Sequence, residues 1–316
     1  MIKKRYHFLI VGGILLIGII IGSFLDLQIN TAIFDRYNTF GLAVSAFGMT
    51  PGYGFLAFLS GVSISLVAHN KKWPVWKKIL MIIVGVLMYG LSVYSLGQDI
   101  FNINGFYNPT LEKYYVGYIY EVFLMIPVFA LGYYMSRKVK NPNMWIMVLI
   151  FAGVMFMALV AGAALLKEIA HRPRYRIVVY NHLIDEAYHD WWKPFFGYKD
   201  LKPEFATNQT FIDLNVTSVE FRSFPSGHSA AAMITPMFLT FLPYLNKKLM
   251  KYQTLFFYLG FGWTLVMMLA RMLVGAHYLT DTCFGAGLTL LFFYIANEIV
   301  LRTHLLEEKK EQVEEQ

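Results

Sequence analysis

The sequence predicts an all-α, polytopic membrane bundle of about eight transmembrane helices with both termini in the cytoplasm. Three observations predict it. Of the 316 residues, 57% are hydrophobic and only 15% charged, against roughly 45–50% and 25% in a soluble domain. Apolar runs recur along the chain, each near the ~20 residues that a ~30 Å hydrocarbon core requires. Basic residues gather in threes and fours in alternate connections between those runs. The composition excludes an ordinary soluble enzyme, and it is the reverse of the low-hydrophobicity, high-charge disordered chain. The single cysteine, Cys283, lies in an apolar run and excludes a disulfide framework or a zinc ribbon.

The first run, about 7–25, follows Lys3-Lys4-Arg5. Such a start resembles a signal peptide. The run is longer than the roughly 7–15 residues of an h-region, however, and no small-residue cleavage site follows, so it reads as a retained helix. Runs at 51–69, 78–98 and 115–135 supply the next three spans, with loops at 26–50, 70–77 and 99–114 between them. The fifth, 144–166, opens into a long polar loop, 167–227, which holds Pro173, Pro194, Pro203 and Pro225 and the cluster Trp191-Trp192 with Phe195-Phe196. Two readings stay open for that cluster: an anchor at headgroup depth or a wall through which lipid enters. Asn208 and Asn215 begin glycosylation sequons in the same loop, a pattern short enough to arise by chance. Spans at 228–245, 253–270 and 278–300 follow. Residues 1–306 thus read as one integral-membrane domain, and 307–316 as a polar cytoplasmic tail. Gly153, Gly162, Gly285 and Gly287 permit close helix packing.

Charge distribution sets the orientation. The formal charge is +7, which by itself would admit a nucleic-acid partner. Sixteen of the 27 basic residues fall at the N-terminus, near 71–78, 137–140 and 247–251, and in the C-terminal tail. With eight spans these positions share one side, and the positive-inside rule makes that side cytoplasmic. A nucleic-acid surface would concentrate charge on one face, so no nucleic-acid partner is expected.

Three of the remaining basic clusters lie at non-cytoplasmic span ends, each with a histidine. Single cations there snorkel to the interface; three clusters on one membrane face describe an anion pocket. The first is Lys167-Glu-Ile-Ala-His171-Arg172-Pro173-Arg174, where lysine offers a point charge and arginine a fork of donors. In the second, Arg222 precedes Pro225-Ser226-Gly227-His228. Ser223 reads as an N-cap with Pro225 in the first turn, which would turn the Ser226 and Gly227 amides toward an anion. The third runs from Arg271 to Asp281. His277 and Asp281 are four apart, on one helix face, so the carboxylate can fix the imidazole tautomer and leave the other nitrogen as nucleophile or base. No compact third ligand accompanies them, so a metal site is not expected. Glu121 and Glu298 read as packing or helix-end residues without a catalytic role.

In order and spacing, Lys167-x6-Arg174, Pro225–His228 and Arg271-x5-His277-x3-Asp281 resemble the type-2 phosphatidic acid phosphatase superfamily, whose signature is Lys-x6-Arg-Pro, Pro-Ser-Gly-His and Ser-Arg-x5-His-x3-Asp. The blocks span about a third of the chain. Two positions depart from the signature: Tyr175 stands at the proline and Ala270 at the serine. Neither change removes a charge or a histidine, so an altered rate or substrate choice is expected rather than inactivity.

The resemblance implies a six-span core preceded by two additional helices. It also implies cofactor-free, metal-independent hydrolysis of a lipid phosphate through a phosphohistidine. His277 would be the nucleophile, oriented by Asp281, and His228 the acid and then base. Lys167, Arg174, Arg271, Ser226 and Gly227 would hold the phosphate, with Arg172, His171 and Arg222 secondary. The implied substrates are undecaprenyl pyrophosphate, phosphatidylglycerophosphate or phosphatidic acid, met at the outer face of a bacterial plasma membrane. A lipid phosphotransferase would use the same residues. A lipid or phosphate-compound transporter is the rival from another class, although the spans lack mid-membrane charged pairs, where transporters bind substrate.

Overall fold

A computed structural model describes residues 2, 4–99, 116–180, 188–194, 218–303 and 305. The sequons at Asn208 and Asn215, Phe195-Phe196, Gly162's surroundings and the 307–316 tail lie outside the described residues. The described chain is helical: α1 Tyr6–Ile33, α2 Thr39–Phe47, α3 Thr50–His69, α4 Val75–Asp99, α5 Val116–Ser136 and α6 Met144–Phe156. It continues with α7 Leu166–Ala170, α8 Tyr175–Tyr180, α9 Gly227–Ala232, α10 Ile234–Leu245, α11 Gln253–Leu273 and α12 Leu279–Arg302.

Six of these stretches are long and apolar enough to cross a membrane: α1, the 39–69 pair, α4, α5, the 247–273 stretch and α12. The other two expected spans are helical but interrupted. The 144–166 run loosens into π-helical turns over Met157–Leu165 between α6 and α7. The 228–245 run breaks at Met233, between α9 and α10. Pro236 accounts for the second break. A proline inside a continuous helix removes a backbone donor and clashes with the preceding turn. Restarting the helix at Ile234 puts Pro236 in the first turn, where no donor is required.

The outside of the bundle is apolar. On α1 the buried residues Phe8, Val11, Leu15, Gly22, Asp26 and Asn30 form one stripe, while Leu9, Ile14, Leu16, Ile17, Ile20, Phe24 and Leu25 are exposed. A soluble protein rarely exposes so large an apolar patch; a lipid-facing helix must.

Helix α1 runs past the expected end at residue 25 and packs antiparallel on α12 along small residues. Gly12 faces Leu290, Gly18 touches Cys283, and a Cβ on Gly22 would come within 2.8 Å of the Thr280 methyl. At the far end of this pair the two termini meet. The Ile2 amide donates to Asn297 Oδ1 (2.7 Å), and Arg5 pairs with Glu298 at 2.7 Å. Asn141, just before α6, donates to the Leu305 carbonyl at 2.8 Å. Both described terminal segments and the 137–143 connection therefore share one end of the bundle. Between the ends, Phe55, Phe151, Phe241, Phe257 and Phe293 are fully buried in a common core.

Close backbone approach joins α3 to α5 and to α9. A Cβ on Gly61 would collide with the Phe129 carbonyl of α5, one on Gly132 with the Phe58 carbonyl of α3, and one on Gly52 with the Ala231 carbonyl of α9. Gly285 of α12 meets the Ser226 carbonyl in the same way. Since the obstacle there is backbone, Gly285→Ala should displace the start of α9. The expected cost is ~1–3 kcal/mol of overpacking, read as a lower melting temperature in detergent. Gly153→Ala, where nothing lies within 4 Å, should be neutral or slightly stabilising through helix propensity.

Candidate active site

At the opposite end, short backbone bonds knit four segments together. The Ser223 amide donates to the Arg172 carbonyl (2.9 Å), Arg174 to Glu220 (2.9 Å), Arg176 to Gly275 (3.0 Å) and Ser226 to Asp281 (3.0 Å). Arg176 also grips the Glu220 carboxylate, with Nε at 2.6 Å. Gly275 turns the chain between α11 and α12 at φ +63°, and a Cβ there would press on the Phe34 ring and the Arg176 Cβ. Glycine is the residue suited to both demands.

His277 follows that turn and is fully buried. Its Nδ1 lies 2.6 Å from the Ser223 carbonyl oxygen. A carbonyl only accepts, so Nδ1 carries the proton and Nε2 holds the lone pair. Among buried atoms, His277 Nε2 and His228 Nε2 have no hydrogen-bond partner. The charges of Arg271, Lys167 and Arg174 act on both imidazoles. Burial first, and then those three cations, hold His277 well below the usual imidazole range, against the opposing pull of Asp281. Neutral His277 is the nucleophilic form.

The expected direct His277–Asp281 hydrogen bond is replaced by a relay. Asp281 Oδ2 lies 3.8 Å from His277 Nδ1. It accepts instead from the Ser223 hydroxyl (2.5 Å) and the Tyr278 amide (2.9 Å). Ser223 thus bonds both groups, its carbonyl to the imidazole and its hydroxyl to the carboxylate. It is not the N-cap of α9. That cap is Ser226, whose side chain accepts from the Ser229 amide at 3.3 Å, and Pro225 precedes the helix. The Ser226 amide, expected to face a phosphate, instead donates to the Asp281 carbonyl at 3.0 Å. The Gly227 amide keeps the first-turn position, which has no acceptor within a helix.

The second-rank residues separate in the same way. Arg172 is 1% exposed and turned into the protein, with its guanidinium on Asp281 (2.5 Å), Asp26 (3.0 Å), Thr280 (2.8 Å) and the His189 carbonyl (2.8 Å). It braces the site wall rather than reaching toward a phosphate. Arg222 pairs with Glu168 at 2.6 Å, both partly exposed, a surface contact of ~1 kcal/mol or less. His171 adopts φ 45° and caps α7, its amide donating to Lys167 at 3.3 Å; this turn directs Arg172 inward. Tyr175, at the expected proline, donates its hydroxyl to Thr31 Oγ1 at 2.9 Å. Ala270 is fully buried, its carbonyl close to Gly41 of α2. Of the aromatic cluster, Trp191 stacks on Phe224 and donates to Ser23 (2.9 Å), whereas Trp192 is exposed. Among the described residues no group of three or more His, Cys, Asp or Glu is arranged to hold a metal ion.

The family model described as the PAP2 superfamily matches residues 147–304, half of the chain. The chain belongs to the PAP2 superfamily. No curated protein and no solved structure matches it. The matched segment contains every candidate catalytic and phosphate-holding residue named above. Membership carries phosphatase or phosphoesterase chemistry and, with six apolar helices, an integral membrane setting. Two residues that reach the PAP2 site lie outside the match and escaped the sequence reading. They are Asp26 and Asn30 on α1, the latter donating to the His277 carbonyl at 3.0 Å. Their four-residue spacing puts both on the buried stripe, a signal that hydropathy alone does not separate from an interfacial helix end.

Proposed function

We propose that this PAP2 protein is a lipid phosphatase that cleaves a phosphate mono- or diphosphate ester through a phosphohistidine, without metal or cofactor, at the extracytoplasmic face of a bacterial plasma membrane. The observation that carries the reading is the commitment of His277 Nδ1 to the Ser223 carbonyl, which leaves a bare Nε2 among three cations. In the first step His277 Nε2 bonds to phosphorus and the phosphorus–oxygen bond to the lipid breaks. The departing oxygen takes a proton from His228, which enters this step as the imidazolium, its charge balanced by the bound phosphate. Water then attacks the phosphorus, gives its proton to His228, and the phosphorus–nitrogen bond breaks to release phosphate. Lys167, Arg174, Arg271 and the Gly227 amide hold the non-bridging oxygens, and positioning with charge neutralisation does most of the work in phosphoryl transfer.

Orientation rests on the basic residues at the shared-termini end, which the positive-inside rule assigns to the cytoplasm. The site end is then extracytoplasmic, at the depth where a lipid offers its headgroup while its chains stay in the bilayer. The test is phosphate release by purified protein in detergent with excess EDTA. The panel is undecaprenyl pyrophosphate, phosphatidylglycerophosphate, phosphatidic acid and the soluble control glucose 6-phosphate. Release from a lipid at an EDTA-insensitive rate is expected. Release only with added divalent metal overturns the histidine mechanism. Consumption of the lipid with its phosphate moved to an added alcohol identifies a phosphotransferase, and no chemistry at all leaves a carrier.

A further inference from the structure

Asp26 is a carboxylate at the site that the family signature does not account for. Asp26 lies on α1, far before the PAP2 match at 147–304, and is 1% exposed. Its Oδ1 accepts from the Thr280 amide at 3.1 Å, and its Oδ2 takes Arg172 Nη2 at 3.0 Å and also the Thr280 hydroxyl. Thr280 Oγ1 in turn accepts from Arg172 Nη1 at 2.8 Å. Gly22, one turn earlier, makes room: a Cβ there would sit 2.7 Å from Asp26 Oδ1. Arg172 Nη1 continues to Asp281 Oδ1 at 2.5 Å, and its Nε is held by the His189 carbonyl. The result is a buried ladder from Asp26 through Arg172 to Asp281, whose other oxygen faces His277.

Charge accounting gives the ladder its purpose. Arg172 and Asp281 alone would form a neutral pair, and the positive charge that develops on His277 during attack would meet little net field. Asp26 engages the far side of Arg172, so the three groups together carry one negative charge, directed at His277. At low local dielectric such a charge acts over several ångströms. The two-carboxylate arrangement also fixes both ends of the guanidinium fork, and with it the rotamer of Asp281.

We propose that Asp26 is a positioning residue of the hydrolytic reaction, acting through Arg172 to keep the charge of Asp281 available to His277. This rests on the histidine reading above. A carboxylate that merely tied α1 to α12 would affect stability alone; one that supports the charge on His277 acts on turnover.

The experiment uses full-length protein in detergent and the fastest substrate in the phosphate-release panel. Asp26→Asn keeps the shape and one acceptor for Thr280 but removes the charge. It should lower kcat by on the order of 10- to 100-fold, with KM within about twofold. In an Asp281→Asn background the same change should cost less than about threefold, because the charge it supports is already gone. Unchanged kcat, a loss carried entirely by KM, or full additivity with Asp281→Asn overturns the proposal. If Asp26→Asn does not yield folded protein, Thr280→Val removes the hydroxyl shared by Asp26 and Arg172 at equal volume. It should show the same split at about fivefold, and parental kcat there overturns the proposal equally. Absence of release from every substrate by the parent protein would overturn the histidine reading first, and Asp26 would then have no reaction to serve.

Discussion

His277→Ala protein is expected to release phosphate at least ~10⁴-fold more slowly than the parent, the scale of loss when a covalent nucleophile is removed. The geometry makes the expectation sharp. No other described side chain is held as His277 is, with one ring nitrogen committed to a carbonyl and the other bare amid the charges of Arg271, Arg174 and Lys167. Alanine leaves a small cavity bounded by Ser223 and Asp281, whose remaining bonds to each other and to Arg172 persist, so the fold should survive. Brief mixing with substrate labelled at the phosphate provides a second readout. A phosphohistidine is labile to acid and stable to alkali, and such label should attach to the parent and be absent from His277→Ala. His228→Ala separates the two steps: it should slow departure of the lipid oxygen and also the attack of water, while leaving the nucleophile in place. Turnover by His277→Ala within tenfold of the parent would remove the covalent mechanism and favour direct attack by water, with His228 as its base.

The charged residues of this site were legible because spacing carries them. Lys167, Arg174, Arg271 and His277 keep their separations in sequence, and the span ends that bear them lie on one side of the bundle. What escaped depends on distances the sequence does not encode. The N-cap moved from Ser223 to Ser226 because both precede a helix, and a shift of three residues in where that helix starts decides which hydroxyl caps it. The freed Ser223 then joins Asp281 and His277, which proximity in sequence had suggested were bonded directly. Asp26 was hidden for a different reason. At the edge of an apolar run a lone carboxylate reads as interfacial, and its partner Arg172 is 146 residues away. The π-helical turns after Phe156 were unreadable, since hydropathy is the same whichever carbonyl each amide reaches. The break at Met233, by contrast, was available in advance from Pro236 and the cost of burying it within a continuous helix.

Arg172→Ala should destabilise the protein by ~3–5 kcal/mol, the cost of removing one member of a buried ion cluster. The magnitude follows from what stays behind. Asp26 and Asp281 are each about 1% exposed or less, and without the guanidinium two carboxylates would face each other across Thr280 with no counter-charge. Such groups are expensive to bury unpaired. Tyr278, whose ring lies 4.0 Å from the guanidinium carbon, would lose its stacked cation as well. The measurement is thermal unfolding in detergent, compared with Arg222→Ala. Arg222 pairs with Glu168 where both are partly exposed, so its loss should cost ~1 kcal/mol or less. Arg172→Lys should recover only part of the deficit. An ammonium is a point charge without the planar fork that reaches two carboxylates at once, and the His189 carbonyl would keep no guanidinium donor. If Arg172→Ala and Arg222→Ala melt together, the cluster is not what joins α1 to the loop before α8. Separate melting, with Arg172→Ala far lower, ties the N-terminal helix to the PAP2 core through the same charges that orient Asp281.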